Sequence, residues 1–321
     1  METPLPIHRA TPTREAGRTG SAMRRRTKHP GPDRLVRVGP NAFVRAVDWE
    51  AAGPRARYVT RVWARLARLG EPAVASHVSA AALHGLASLY GWPEQVHVTL
   101  PKSRYRSASN GLVLHTRPFG AEDVARDGPL AATSIPRTVV DVALAGDVRA
   151  GVVLADSALR GGTPVAALDA ALRSSPRGRG RRAAELVLEI ADARSGSAAE
   201  SLARVVFREL GLPEPVLQQV FVVDGRRMFV DFWFPEQGVV VEIDGRAKYS
   251  QPRYLGGRSP TEAFVDEKRR QEALLTVPDV RRVVRVEWAD LHAPGPLAHR
   301  LRAAGLPCAV RPGPSARLVL P

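Results

Sequence analysis

Apolar and polar positions repeat with two different periods along this chain, and the changes of period divide it. The stretch RARYVTRVWARLARLG (55–70) carries apolar residues at helical spacing and stops at Gly70, which predicts an amphipathic helix. A small-residue helix, SHVSAAALHGL (76–86), follows. QVHVTLP and LVLHTRPF then alternate with the period of two that strands show. Helical spacing returns in SIPRTVVDVALAG, VRAGVVLADSALRGG and PVAALDAALRSS. Ahead of all these, RLVRVGPNAFVRA (34–46) sets two short apolar runs around Gly39-Pro40-Asn41, the pattern of a hairpin. Residues 34–172 therefore predict a mixed α/β unit. Residues 1–33 are rich in Pro, Arg, Gly and Thr without periodicity, and are expected to be a disordered basic tail.

A second pattern starts near residue 195. Ser197 and Glu200 stand at capping-box spacing before a helix over 197–212, with Gly211 as its C-terminal stop. Three strands follow: VLQQVFVV, RMFVDFWF and VVVEID. Asp224-Gly225 joins the first two, a strong hairpin signal, and PEQG joins the second pair. Ser259, Pro260 and Glu262 open a helix over 259–277. A strand, RRVVRVEW (281–288), and a last helix complete the order α-β-β-β-α-β-α. The domain plan is a tail at 1–33, an α/β region at 34–172, a basic linker and helix at 173–194, a second domain at 195–292, and a C-terminal helix and tail at 293–321.

Three carboxylates break the strand pattern. The PEQG turn is symmetric about the Glu236–Gln237 bond, so Pro235 faces Gly238 and Asp231 faces Glu242. Opposed residues on neighbouring strands share a face of the sheet, with Cβ atoms about 4.5–5.5 Å apart. Asp244, two residues beyond Glu242, joins that face. Val230, Phe232, Phe234, Val239, Val241 and Ile243 leave the other face, the hydrophobic core. Opposed like charges destabilise a sheet unless a cation or proton neutralises them. A hard divalent cation such as Mg²⁺ meets that need, held by Asp231 and Glu242; a solvated acidic face is the blander alternative. Lysine is rare: the chain has 43 arginines and four lysines, of which Lys248 and Lys268 lie in this unit. Either could position a water or steady charge on a phosphate, since a lysine proton can be moved.

Charge adds a partner. The formal net charge is +15, which favours a polyanion such as DNA or RNA, with DNA placed first. Residues 195–321 hold 18 Lys+Arg against 15 Asp+Glu, whereas residues 1–194 hold 29 against 17, so the excess is N-terminal. Clusters lie at MRRRTKH (23–29) and RSSPRGRGRR (173–182), and the second offers Arg177, Arg179, Arg181 and Arg182 for phosphate contacts, or serves as a solvated flexible linker. No apolar run approaches the length of a membrane span, and the first residues lack the apolar core of a signal peptide. A cytoplasmic protein is the expectation, and no membrane partner is expected. Cys308 is the single cysteine, which excludes an internal disulfide framework and a zinc site with several thiolates. No phosphate-cradling GxxxxGK[ST] loop is present, which disfavours nucleotide hydrolysis.

Asp231, EIDG (242–245), KY (248–249), DEKRR (266–270) and VVRVEWADL (283–291) together resemble the PD-(D/E)XK restriction-endonuclease-like superfamily, nearest to its Vsr-like branch of domains of unknown function. The resemblance covers about residues 195–292 and implies an αβββαβ core with a mixed sheet. It implies that Asp231 and Glu242 bind Mg²⁺, that Glu200 is an additional acid, and that a lysine assists the attacking water. The usual E-x-K triplet reads Glu242-Ile243-Asp244 here, so Lys248 or Lys268 must supply the lysine. RLVRVGPNAFVRA, SHVSAAALHGL, VHVTLP and SIPRTVVDVA resemble the antitoxin-like region of type IV abortive-infection systems, and imply a winged-helix remnant within a smaller α/β domain. The leading expectation is thus a metal-dependent nuclease. The alternative is a non-catalytic DNA-binding regulator carrying a degenerate nuclease fold.

Overall fold

The computed structural model describes residues 1–9, 23, 24, 26–28, 31, 33–70, 72–101, 111–128, 130–244 and 260–308. The chain divides into two units, Met1–Glu189 and Ile190–Pro321.

In the first unit, β1 (His8–Arg9), β2 (Leu35–Gly39) and β3 (Ala42–Arg45) form a three-stranded sheet of order β1-β3-β2. The hairpin expected around Asn41 is present, with Asn41 in the left-handed region at φ 53°. The expectation of disorder from residue 1 fails for residues 1–9. Leu5 and Ile7 pack against Val38, Ala42, Val44 and Ala64, while Glu2 N donates to Leu83 O and Leu5 N to Thr60 Oγ1. Two alternating apolar side chains suffice to dock the segment on an open sheet edge. Of the cluster at 23–29, residues 23, 24 and 26–28 are described, and there Thr27 Oγ1 donates to Arg24 O at 2.7 Å and Arg26 Nη2 lies 3.5 Å from Asp33 Oδ1.

Next come α1 (Ala46–Ala51) and α2 (Pro54–Leu69), the latter ending at Gly70 with φ 66°. The face of α2 bearing Tyr58, Val59, Val62 and Leu66 is buried against a five-stranded sheet. That sheet contains β4 (Val74–Ala75), β5 (Val96–Leu100), β6 (Leu112–Thr116), β7 (Val124–Asp127) and β8 (Leu130–Thr133), in the order β6-β5-β4-β8-β7. Helix α3 (His77–Leu83) leaves β4, and α4 (Ile135–Ala143), α5 (Val148–Arg160), α6 (Val165–Ser174) and α7 (Arg181–Ile190) follow β8. The run at 173–182, expected as a flexible linker, is a packed turn between α6 and α7. Gly180 (φ 85°) sits so close to the backbone of Leu144 that a Cβ there would lie 2.0 Å from Leu144 O, and Ser175 is buried.

The second unit opens with α8 (Ala198–Glu209), where Ser197 caps by accepting from Glu200 N at 3.2 Å and Gly211 follows at φ 69°. Strands β9 (Val216–Val223), β10 (Arg226–Phe234), β11 (Val239–Asp244) and β12 (Arg282–Glu287) form one mixed sheet of order β12-β11-β10-β9. Asp224 (φ 49°) and Gly225 (φ 73°) make the tight β9–β10 turn. Helix α9 (Pro260–Leu274) lies between β11 and β12, which run parallel, and α10 (Pro294–Ala303) ends the unit. Among the described residues the order is α-β-β-β-α-β-α, as the periodicity predicts, with a 3₁₀ turn at Asp290–His292. Phe207 of α8 packs edge-on to Phe232 and Phe234 on one face of the sheet. Trp233, Val240, Leu274 and Val280 form the core on the other face, so both faces are covered. Val230 joins this second core rather than the Phe232 side. The regular pleat is interrupted beside it, where Gln218 of β9 takes φ 52°. Among the described residues no helix is long and apolar enough to cross a membrane.

Candidate functional site

The β10–β11 register pairs Phe232 with Val241, Trp233 with Val240 and Phe234 with Val239. The paired register ends at Phe232 and Val241, so it bears out the symmetry of the PEQG turn but does not include the Asp231–Glu242 pair expected one step further on. The partners of these acids, however, come from the protein itself. Asp231 Oδ2 accepts from Ile243 N at 2.8 Å, so this carboxylate is turned onto the backbone of β11. Gln218 Nε2 donates to Glu200 Oε2 at 2.9 Å and to Asp231 Oδ1 at 3.5 Å, joining two acids through one amide. Glu200 is buried, and also accepts from Gly196 N at 2.7 Å and Ser197 Oγ at 2.8 Å. It is both a helix cap and a member of the acidic group.

Glu242, 8% exposed, is held between two arginines. Arg270 of α9 donates from Nη2 to Oε1 at 2.6 Å, and Arg285 Nη2 lies 3.5 Å from Oε2. Arg285 Nη1 also reaches Asp244 Oδ2 at 3.4 Å. The parallel ladder sets Arg285 directly beside Glu242. A cation is therefore not required to keep these strands together: guanidinium forks neutralise the acids, as suits carboxylates in a half-buried setting. Neither arginine was among the residues singled out from sequence. The signal for Arg285 was its place between valines in VVRVEW, on the polar parity of a buried strand.

Lys268 does not approach the acids. Its side chain is 71% exposed and its Nζ lies 4.0 Å from Glu272. Two residues along a helix turn it through about 200°, so when Arg270 faces the sheet, Lys268 faces away. Lys248 lies outside the described residues. Of the four linker arginines, Arg177, Arg179 and Arg182 are exposed. Arg181 is committed to structure, donating to Leu172 O at 2.6 Å and pairing with Glu185 at 2.9 Å.

The first unit holds a second cluster that sequence reasoning missed. His77 begins α3, His97 lies on β5 and His115 on β6. His97 Nδ1 and His115 Nε2 are 3.0 Å apart, and the rings of His77 and His115 stack with centroids at 3.7 Å. Burial pushes all three pKa values down: His115 to about 4, His97 below its ordinary value, and His77 well below it. For His77 and His115, the neighbouring histidines and Arg117 add to the effect. Arg137 contributes at His77, and itself pairs with Asp123 and Asp141, each at 3.0 Å. Among the described residues, His77, His97 and His115 are where donor atoms of three such side chains come within 4.8 Å of one another; the acids of the second unit do not form such a group.

No family model matches the chain. No solved structure matches it either. Two proteins of Mycobacterium tuberculosis do: "Uncharacterized protein Rv2248" of strain ATCC 25618 / H37Rv and "Uncharacterized protein MT2308" of strain CDC 1551 / Oshkosh. Each is 31% identical over 253 residues, spanning 70% of this chain and 88% of the relative. Sustained over most of both lengths, that identity means that the chain belongs to the family of these two mycobacterial proteins.

Proposed function

We propose that the second unit is a metal-dependent nuclease of restriction-endonuclease-like fold that hydrolyses phosphodiester bonds of DNA. The observation that carries this reading is the gathering of acids on neighbouring strands of a mixed sheet, with Glu200 tied to Asp231 through Gln218 and with Glu242 and Asp244 on β11. The αβββαβ order with parallel β11 and β12 supports it. Asp231 and Glu242 offer the carboxylate oxygens that Mg²⁺ takes, and the ion keeps waters in its remaining positions. Bound there, Mg²⁺ would polarise the phosphoryl oxygen and lower the pKa of a coordinated water. Arg270 and Arg285 then act as a counter-charge that yields a Glu242 oxygen when metal arrives. Lys248 is the lysine left to assist the water, because Lys268 faces away. Exposed Arg177, Arg179 and Arg182 supply sequence-independent phosphate contacts. The three-stranded β1-β3-β2 sheet is the part of the first unit that suits a winged-helix remnant.

A second reading is favoured by one specific observation. Glu242 and Asp244 already have arginine partners, as expected of a nuclease fold that has lost its metal and works as a DNA-binding regulator. Incubating supercoiled plasmid with the full chain separates the two. The nuclease reading expects cleavage with Mg²⁺, none with EDTA, and none from Asp231→Asn. Plasmid left intact by the wild type under all metal conditions favours the regulator.

A further inference from the structure

Three imidazoles from three separate segments converge in the first unit without a counter-charge among them. We propose that His77, His97 and His115 form a binding site for a divalent transition metal of the zinc class, with solvent in the fourth position. The site is distinct from the acidic cluster, and the proposal does not depend on the nuclease reading.

The placement is built by the fold. His97 pairs with Val113 and His115 with Thr99 in the parallel β5–β6 ladder, so the two histidines are diagonal neighbours on one face. Ser76 N donates to His97 O at 3.1 Å, which ties the start of α3 to β5 and delivers His77 to the same place. Ser79 Oγ accepts from His97 N at 2.8 Å and is hydrogen-bonded to Tyr58 Oη at 2.7 Å, which fixes that junction from behind. Ser76 Oγ, 3.0 Å from His77 Nδ1, orients the third ring. That hydroxyl is the kind of outer partner that holds a ligating histidine in one tautomer.

The geometry suits a small ion. Donors about 2.0–2.1 Å from a tetrahedral metal lie roughly 3.3 Å from one another. The His97–His115 nitrogen separation of 3.0 Å is already at that scale, and the whole set lies within 4.8 Å. Rotation of the imidazoles can close the remainder. All three histidines are half-buried, so solvent reaches them. His77 is also held at φ 51°, a left-handed conformation uncommon for a residue other than glycine or asparagine. Strain of this kind persists where the surroundings fix a side chain for a purpose. Imidazole donors select zinc, cobalt, nickel or copper rather than Mg²⁺. A simple hydrogen bond between His97 and His115 explains their own contact, but not the third ring brought onto them at a backbone cost.

The test uses the full chain stripped with chelator and titrated with Co²⁺, read by its visible ligand-field bands, and with Zn²⁺ by calorimetry. The expected result is one equivalent bound by the wild type. His97→Gln and His115→Gln should each weaken binding by about a hundredfold or more, since even outer-sphere partners contribute tenfold to a hundredfold. The exposed-site control His299→Gln should bind as the wild type does. If a histidine variant fails to fold, imidazole ¹⁵N shifts of the wild type during Zn²⁺ titration replace it, with His97 and His115 expected to move. Absence of Co²⁺ bands in the wild type, binding unchanged in both folded histidine variants, or unmoved ¹⁵N shifts would overturn the proposal.

Discussion

The two side-chain clusters solve the problem of gathering titratable groups in opposite ways. In the second unit, carboxylates at the end of β10 and β11 are answered by guanidinium groups and an amide, so charge closes within the fold. In the first unit, three imidazoles sit together with two arginines close to His77, and burial holds them neutral. Arg137 is itself balanced by Asp123 and Asp141, which leaves the histidines with lone pairs rather than charges to share. The lesson is that an acidic cluster in a strand does not by itself call for a metal, because a neighbouring strand can supply arginine. A histidine cluster has no such internal remedy.

The comparison breaks most visibly at Arg285. Arg285→Ala strands Glu242 and Asp244 near one another with Arg270 as the remaining counter-charge. It is expected to destabilise the protein by about 2–3 kcal/mol in denaturant unfolding. Combining it with Glu242→Gln should cost less than the sum of the two changes, since the second removes the charge the first left exposed. Strict additivity would show that the pair is not coupled.

Acidification sharpens the other side. The folded pKa values of His77, His97 and His115 lie below the unfolded value of about 6.5, so the unfolded chain binds more protons as pH falls through that range. Their contribution is therefore intact above about 6.5 and is lost progressively toward the folded value, about 4 for His115. The melting temperature of the metal-free chain should drop over this window, and His115→Gln should flatten the slope. A slope unchanged by the substitution would remove His115 from the account. The smallest effect is expected at Lys268→Ala, an exposed change worth within about 0.5 kcal/mol and without influence on plasmid cleavage.

The β10–β11 register could be read from sequence because it depends on a four-residue turn, whose symmetry pairs Phe234 with Val239, Trp233 with Val240 and Phe232 with Val241. Arg285 could not, since its partnership with Glu242 arises across a helical crossover and no local rule sets a parallel register. Arg270 needed the rotation of α9 as well. The histidines were hidden for the same reason: His97 and His115 lie on strands that the alternation predicts, but they meet through the parallel register of β5 and β6, and His77 follows β4, a two-residue strand with little signal of its own. Composition misjudged residues 1–9 and 173–182. The docking of Leu5 and Ile7 and the fit of Gly180 against Leu144 are tertiary facts that a count of Pro, Arg and Gly does not contain.

The most direct test of the proposed nuclease site is thermal melting of the wild type and Asp231→Asn, each with and without millimolar Mg²⁺. A ligand that binds only the folded state stabilises it by about 2.7 kcal/mol at a hundredfold excess over its dissociation constant. Mg²⁺ does not suit the three imidazoles, so the histidine cluster leaves this measurement undisturbed. The melting temperature of the wild type is expected to rise on adding Mg²⁺, and that of Asp231→Asn to stay where it is. An unshifted wild-type curve would contradict the metal site and leave the arginine-neutralised acids as a structural feature of the sheet.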